Sequence, residues 1–211
     1  TITTVLRTPG RHLQSVAESS FDAWIKYYRQ DENTPNAVVS YYTKGALVAC
    51  ALDLTLRREG RTSLDHVMRA LWERHGMRDV GVPEDGIAAL ASELAGRDLT
   101  DFFARFVDGV EDPPLPALLA DFGVALRLRP AADVRDRGGK PGTGAPPPCT
   151  LGMSIGAEQK VRHVFREGPA ARAGLSAGDT LVAIDGLKAT PERIATTLAR
   201  SAPGETVDLL A

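Results

Sequence analysis

The chain has 211 residues, of which 43% are hydrophobic and 25% charged, and its net charge is −2 at pH 7. These values are ordinary for a globular protein, and the length suits one large domain or two small ones. A charge this close to zero makes neither nucleic acid nor an anionic membrane an expected partner. No apolar run approaches the roughly 18 residues needed to cross a bilayer.

The chain begins at Thr1, without an initiator methionine or a signal-peptide pattern. We interpret it as a piece of a longer protein. Its two cysteines are too few for a disulfide framework. Cys50 lies within an apolar run and is predicted to be a small buried side chain.

The first part of the chain is predicted to be helical. Pro9 suits the first position of a helix after Thr8. The apolar residues that follow recur at helical spacing up to a stop near Asp31–Pro35: Leu13, Val16, Ala17, Phe21, Trp24, Ile25 and Tyr28.

A long central helix is predicted next, with Ser40 as its N-cap, its end near Glu59 and Gly60 as its stop. The interior, residues 45–52, is apolar on nearly every side, which is typical of a helix at the centre of a larger body. Three further helices are predicted to start at Thr62 or Ser63, at Pro83 and at Asp98, and residues 118–122 predict one helical turn. Residues 122–128 alternate as a strand would.

The composition changes after residue 128. Residues 135–148 are rich in glycine and proline and have no hydrophobic face, which indicates a linker or an exposed loop. Short β-like runs follow at 151–155, 161–165, 180–184 and 206–210, with one helix beginning at Pro191. We therefore predict a helical domain over 1–128, a linker over 129–149 and a small domain over 150–211.

The small domain resembles the PDZ domains of bacterial proteases. The resemblance lies in Leu151-Gly152-Met153-Ser154, in the segment Gly168–Leu175, in Gly178-Asp179, and in the tight turn at Asp185-Gly186. It implies a small β-barrel or sandwich with two helices.

In that family the loop that begins with Leu-Gly offers backbone N–H groups to a peptide's terminal carboxylate, and the peptide adds as a strand to the sheet edge. The peptide-binding residues implied here are Leu151, Gly152, Met153, Ser154, Ile194 and Leu198, and the implied partners are peptides or protein C-termini. For Ile194 and Leu198 taken singly, packing in the core of a small domain is the alternative.

Residues 11–112 resemble the end of the catalytic domain of glycyl aminopeptidases, a gluzincin family with a thermolysin-like fold. The resemblance rests on Leu13–Tyr28, Ser40–Leu47 and Arg97–Phe103, and on their order before a PDZ domain. The fold class implied is α+β, with an all-α bundle forming the rear half of the catalytic domain. The bacterial likeness leaves the compartment open between cytoplasm and periplasm.

Such enzymes require zinc, held by two histidines of an H-E-x-x-H helix and a distal glutamate. None of the four histidines, His12, His66, His75 and His163, stands in that arrangement. The resemblance therefore implies that the zinc ligands lie in the missing N-terminal part of the catalytic domain. The chain itself is expected to hold no cofactor and to catalyse nothing alone.

One catalytic group is implied within the chain. Related zinc aminopeptidases carry a Tyr-x-Lys-Gly motif whose tyrosine donates a hydrogen bond to the oxyanion of the tetrahedral intermediate. Here the motif is Tyr42-Thr43-Lys44-Gly45, so Tyr42 is the candidate donor and Tyr41 the second choice. The alternative is that both tyrosines are aromatic core residues that bridge helices.

Two hypotheses for function follow. In the first, the parent protein is a zinc aminopeptidase that removes small N-terminal residues such as Gly or Ala, and its PDZ domain holds peptide tails. In the second, the helical part is a platform for a peptide-binding PDZ module without catalysis.

Overall fold

The structure is a computed structural model and describes residues 1–58, 60, 62–132, 136–140 and 146–211. The described chain divides into two compact units. Unit 1 comprises residues Thr1–Tyr28 and Val38–Leu128, and unit 2 comprises Arg29–Ala37 and Arg129–Ala211. Parts of the predicted linker, residues 133–135 and 141–145, lie outside the described residues.

The helices occur in the following chain order: α1 (Ile2–Leu6), α2 (Val16–Phe21), α3 (Thr34–Ala37), α4 (Tyr41–Arg58), α5 (Leu64–Arg74), α6 (Gly86–Ala95), α7 (Thr100–Phe106), α8 (Leu115–Ala120), α9 (Pro169–Arg172) and α10 (Pro191–Arg200). Short 3₁₀ turns lie at Pro9–His12, Gly76–Arg78 and Ala157–Gln159.

Unit 1 is built around α4, the predicted central helix. Leu47, Val48, Ala51, Leu52 and Leu56 recur at helical spacing and are buried together. They pack with α1, α5 and α8 into one hydrophobic core, which α6 and α7 extend. Burial of this stripe is the main stabilising force in the unit.

Three local predictions for unit 1 are wrong. The helix that was expected to continue to Asp31 ends at Phe21, because Asp22 leaves helical geometry (ψ 16°) and hydrogen-bonded turns follow. Residues 122–128, all of them described, form no strand, and Gly123 adopts φ +76°. Cys50 is exposed because it lies on α4 away from the buried stripe.

Unit 2 contains two small antiparallel sheets. In the first, β1 (Met153–Ile155) pairs with β2 (Val161–Val164), with a break in register between Ser154 and Ile155. In the second, β3 (Ala183–Ile184) lies between β4 (Leu187–Lys188) and β5 (Leu209–Leu210). These sheets are open, so the barrel or sandwich expected of a PDZ domain is not confirmed.

The tight turn predicted at Asp185-Gly186 is present in unit 2. Asp185 (φ 49°) and Gly186 (φ 73°) both take the left-handed conformation that a two-residue hairpin turn requires. Helix α9 begins at Pro169, and its first turn is tied to the Leu-Gly loop because Ala170 N donates to Leu151 O at 2.9 Å.

The strap, as we term residues Arg29–Ala37, belongs to unit 2 although it lies between two parts of unit 1 in the sequence. The buried side chain of Asn36 holds it against the end of β2. Its Nδ2 donates to Val164 O at 2.7 Å, and its Oδ1 accepts from Arg166 N at 3.0 Å. His163 Nδ1 also donates to Glu32 O at 3.0 Å. The amide of Asn36 thus pairs with the backbone of unit 2 as a neighbouring strand would.

One stretch of the described chain, Thr34–Arg58, is long and apolar enough by composition to cross a membrane, with a mean hydropathy of 1.2. Core helices pass the same test. Residues 38–40 interrupt this stretch between α3 and α4, and the apolar stripe of α4 lies in the core of unit 1. We therefore describe α4 as a core helix.

Replacing Asn36 with Ala is expected to destabilise unit 2 by about 1–3 kcal/mol, because one backbone carbonyl and one backbone N–H lose their partner. Amide hydrogen exchange should show faster exchange at Arg166. Asn36→Asp keeps an acceptor for Arg166 and should restore part of its protection. Glu32→Ala is the control, since only the backbone of Glu32 is used; equal exchange in all variants would contradict the role of Asn36.

Candidate functional site

The first turn of α4 carries the candidate catalytic residues. Ser40 precedes the helix, and its Oγ accepts from Thr43 N at 3.3 Å, which is the bonding of an N-cap. Tyr41 and Tyr42 are therefore the first two residues of an 18-residue helix. This position places both phenol groups beside the positive end of the helix dipole.

All four tyrosines of the chain gather at this point. The rings of Tyr41 and Tyr42 lie 4.2 Å apart, and Tyr27 packs edge-on against Tyr41 at 5.4 Å. The Tyr28 hydroxyl lies 3.0 Å from the Tyr41 hydroxyl and 3.0 Å from the Tyr42 hydroxyl. We call this group the tyrosine cluster: Tyr27, Tyr28, Tyr41 and Tyr42.

The tyrosine cluster is open to solvent rather than part of the core. Tyr42 is 58% exposed and Tyr28 is 49% exposed. The alternative of aromatic core residues therefore does not describe Tyr42. Tyr27 has a different role, because its hydroxyl bonds to Ser40 Oγ at 3.1 Å and so holds the start of α4.

The hydrogen bonds within the cluster shift the pKa values of Tyr41 and Tyr42 in opposite directions. Bonds from the hydroxyls of Tyr28 and then Tyr41 lower the pKa of Tyr42 below that of a free phenol. The bond to Tyr28, followed by that to Tyr42, raises the pKa of Tyr41. In its protonated form each phenol can donate one hydrogen bond.

Lys44 of the motif faces the opposite way and is completely buried. Its Nζ donates to Arg11 O at 2.7 Å and to Val110 O at 2.9 Å. Burial lowers the pKa of Lys44, and the charge of Asp112, which pairs with Arg11 at 2.8 Å, opposes that change. Lys44 therefore fixes the start of α4 to the 3₁₀ turn at Pro9–His12 and to the segment after α7.

Gly45 of the motif lies on the side of α4 that faces α2. A Cβ at this position would lie 3.7 Å from Val16 Cγ1 of α2, which is an ordinary van der Waals contact.

An apolar surface adjoins the tyrosine cluster. Phe21 is 93% exposed, Trp24 is 79% exposed and Ile25 is 70% exposed. The ring of Trp24 lies 5.0 Å from that of Tyr28. Large exposed apolar patches of this kind mark interaction surfaces.

The described residues do not fit a zinc site. No group of three or more His, Cys, Asp or Glu side chains among them is arranged to hold a metal ion. His75 Nδ1 lies 3.1 Å from Gly81 O, and His66 Nδ1 lies 3.3 Å from Ser63 Oγ. These histidines have local structural partners.

In unit 2 the Leu-Gly loop precedes β1. Gly152 adopts φ +71°, and a Cβ there would lie 2.8 Å from Pro169 Cδ, so only glycine suits the position. Gly152 N donates to Thr150 Oγ1 at 3.2 Å. Met153 is buried in the core, and Ser154 Oγ is buried without a hydrogen-bond partner among the described residues.

The two predicted pocket residues of α10 differ in environment. Ile194 is 7% exposed and belongs to the core of unit 2. Leu198 is partly buried and lines a cavity of about 400 Å³ together with Leu151, Ala170 and Val207. The structure thus brings Leu151 and Leu198 together, while Met153 and Ile194 pack in the core.

Comparison with known proteins supports a relation to aminopeptidases. A sequence model of the M61 glycyl aminopeptidase family matches residues 1–48, which include the whole tyrosine cluster. A solved structure of an aminopeptidase N family protein from Idiomarina loihiensis superimposes with a TM-score of 0.90 at 38% sequence identity. No curated protein sequence matches the chain.

The match to the solved structure covers 99% of this chain and 36% of that protein, so the chain spans about a third of the length of its relative. Its mixture of helices and small sheets matches an aminopeptidase-family fold. The family match supports the predicted resemblance to glycyl aminopeptidases within residues 1–48. The PDZ assignment stays a prediction.

Two features of this site escaped the sequence analysis. Tyr28 was assigned only to a helical pattern, and Lys44 was assigned no separate role. A lysine within an otherwise apolar helix was a signal for Lys44, since a buried ammonium group must find hydrogen-bond acceptors.

Replacing Lys44 with Met is expected to lower the free energy of unfolding of unit 1 by about 1.5–3 kcal/mol, because two backbone carbonyls lose a charged donor. Chemical denaturation would measure the change. Arg74→Met is the control, since Arg74 makes an exposed ion pair with Glu93 at 2.6 Å and its loss should cost much less. Equal stability of the Lys44→Met protein and the parent would contradict this role.

Proposed function

We propose that the longer protein to which this chain belongs is a zinc-dependent aminopeptidase that removes small N-terminal residues such as Gly or Ala. In this proposal the chain supplies the oxyanion donor, Tyr42. The observation that carries it is the Tyr-x-Lys-Gly tyrosine, which is exposed at the first turn of α4 and lies within the segment matched by the glycyl aminopeptidase family.

The chemistry of Tyr42 suits this role. A neutral phenol donates a hydrogen bond to an oxyanion without being consumed, and its position at the helix N-terminus favours negative charge nearby. Lys44 keeps the backbone of this turn fixed, so the donor needs no reorganisation during the reaction. Tyr41, whose hydroxyl is bonded to Tyr28, is the second choice.

In this proposal the zinc ion and its ligands belong to a part of the longer protein outside this chain. We infer that the exposed surface of Phe21, Trp24 and Ile25 packs against that missing N-terminal part of the catalytic domain. Burial of these side chains would remove a large apolar surface from water beside Tyr42. The chain alone is expected to be inactive.

In the longer protein, Tyr42→Phe is expected to lower kcat by roughly 10²–10³ while zinc content and fold are retained, because one oxyanion donor is lost. Steady-state kinetics with glycyl and alanyl substrates, alongside metal analysis, would measure it. Trp72→Phe on α5 is an exposed aromatic control that should leave kcat unaltered. Full activity of Tyr42→Phe would remove Tyr42 from the mechanism.

A second function is proposed for unit 2, as a PDZ-like module that binds peptide C-termini. The supporting observations are the Leu-Gly loop, whose conformation only glycine suits, and the cavity of about 400 Å³ lined by Leu151 and Leu198. An apolar C-terminal side chain would enter this cavity while loop N–H groups bind the carboxylate. If the longer protein proves inactive, this binding function stands alone.

We expect peptides with an apolar C-terminal residue to bind the chain in calorimetry, and their amidated forms to bind at least tenfold more weakly, because the carboxylate charge is lost. Leu198→Asp should abolish binding by placing a charge in the cavity. Leu187→Asp, at an exposed position on β4, is the control. If no peptide binds, unit 2 is a packing domain.

A further inference from the structure

The Tyr28 hydroxyl lies between the two candidate donors. It is 3.0 Å from the Tyr41 hydroxyl and 3.0 Å from the Tyr42 hydroxyl, yet it comes from the turns after α2 and not from α4. Trp24 and Tyr27 pack against its ring at 5.0 and 5.3 Å. One side chain from another segment therefore holds both phenols at the start of α4.

The number of hydroxyl protons limits which tyrosine can donate to which in this network. Each hydroxyl donates one hydrogen bond and can accept others. If Tyr41 donates to Tyr28 and Tyr28 donates to Tyr42, both bonds are made and the proton of Tyr42 is left for a substrate. The opposite direction would leave the proton of Tyr41 instead.

The shifts in acidity agree with the first direction. A phenol that accepts hydrogen bonds loses its own proton more easily, and a phenol that donates holds its proton more firmly. The bond with Tyr28 lowers the pKa of Tyr42 and raises the pKa of Tyr41. The geometry favours the same end: Tyr42 is 58% exposed and can reach a ligand, whereas Tyr41 is half-buried.

We propose that Tyr28 is a positioning residue for the peptidase reaction, which holds the phenol of Tyr42 and directs the Tyr42 proton towards the substrate. This inference rests on the proposed function of Tyr42. Hydrogen bonds in series polarise one another, so a donor that itself accepts a bond donates more strongly. In the proposed direction Tyr28 also distinguishes the two neighbouring tyrosines, because the exposed Tyr42 is the one that keeps its proton for a ligand.

The network can be tested on the chain without any activity. Since the chain has four tyrosines and all belong to the cluster, the near-ultraviolet absorbance of tyrosinate reports on this site alone. In a pH titration the lowest midpoint should belong to Tyr42 and disappear in Tyr42→Phe. Tyr28→Phe should move that midpoint to higher pH by removing the first donor.

Tyr27→Phe is the matched control in this titration. The Tyr27 hydroxyl bonds to Ser40, so its removal should delete one titrating group and leave the lowest midpoint in place. Circular dichroism would verify that each variant retains its helices. A lowest midpoint that is the same in Tyr28→Phe and in the parent chain would overturn the proposal, whatever the activity of the longer protein.

Kinetics of the longer protein separate this proposal from the function itself. Tyr28→Phe should lower kcat roughly tenfold with little change in KM. The alkaline limb of the pH profile should move to higher pH, because the neutral donor Tyr42 then ionises later. In a Tyr42→Phe background, Tyr28→Phe should have no further effect.

Each kinetic result has one meaning. If Tyr42→Phe leaves kcat intact, the proposed function of Tyr42 fails, and the positioning role fails with it even though the titration shows the network. If Tyr42→Phe lowers kcat but Tyr28→Phe lowers it equally in both backgrounds, Tyr28 acts independently and only the positioning proposal is overturned.

Discussion

The candidate site depends on a buried cation. Lys44 has no exposed surface, and its ammonium group is hydrogen bonded to the carbonyls of Arg11 and Val110. A buried charge without such acceptors would be very costly, so the two carbonyls and α4 are held in one arrangement. Because Lys44 lies within the first turn of α4, the same contacts determine where the preceding tyrosines stand.

The Tyr-x-Lys-Gly motif therefore places its tyrosine and its lysine on opposite faces of α4, one exposed and one buried. Residues two apart on a helix differ by about 200° around its axis, so Tyr42 and Lys44 point in nearly opposite directions. Tyr42 is exposed and available to a ligand, Lys44 is buried and fixes the backbone, and Gly45 faces Val16 of α2. Sequence comparison alone does not separate these roles, since every position of a motif looks equally important.

Local signals in the sequence predicted much of the fold. The start of α4 after Ser40, the start of α10 at Pro191 and the hairpin turn at Asp185-Gly186 were all predicted correctly, because caps and turns are determined by a few adjacent residues. The helical pattern failed after Phe21, where Gln14 bonds the buried side chain of Asp22 at 3.1 Å. That contact belongs to the tertiary structure, and periodicity does not contain it.

The parts that the sequence did not predict are non-local. Tyr28 joins the site through hydrogen bonds to residues 13 and 14 positions later, and Asn36 binds backbone groups some 130 residues away. No pattern within one helix or strand encodes such partners. The predicted groove residues show the same limit, since spacing did not distinguish the core position of Ile194 from the cavity position of Leu198.

The strap lies in the sequence between the two pairs of tyrosines that form the tyrosine cluster. The chain leaves unit 1 after Tyr28 and returns to it at Val38, just before the cap of α4. The bonds of Tyr27 to Ser40 and of Tyr28 to Tyr41 and Tyr42 join the two ends of this excursion. Asn36, in turn, fixes the strap to the end of β2.

A loop whose ends are joined has fewer conformations, so less entropy is lost when the tyrosines are ordered. The order of the cluster thus comes from two sources. Lys44 fixes the start of α4 from within the core, and the closed loop fixes Tyr28 from outside it. A phenol held from both sides can remain well placed although it is largely exposed to solvent, which is the condition that a donor to a transient oxyanion has to meet.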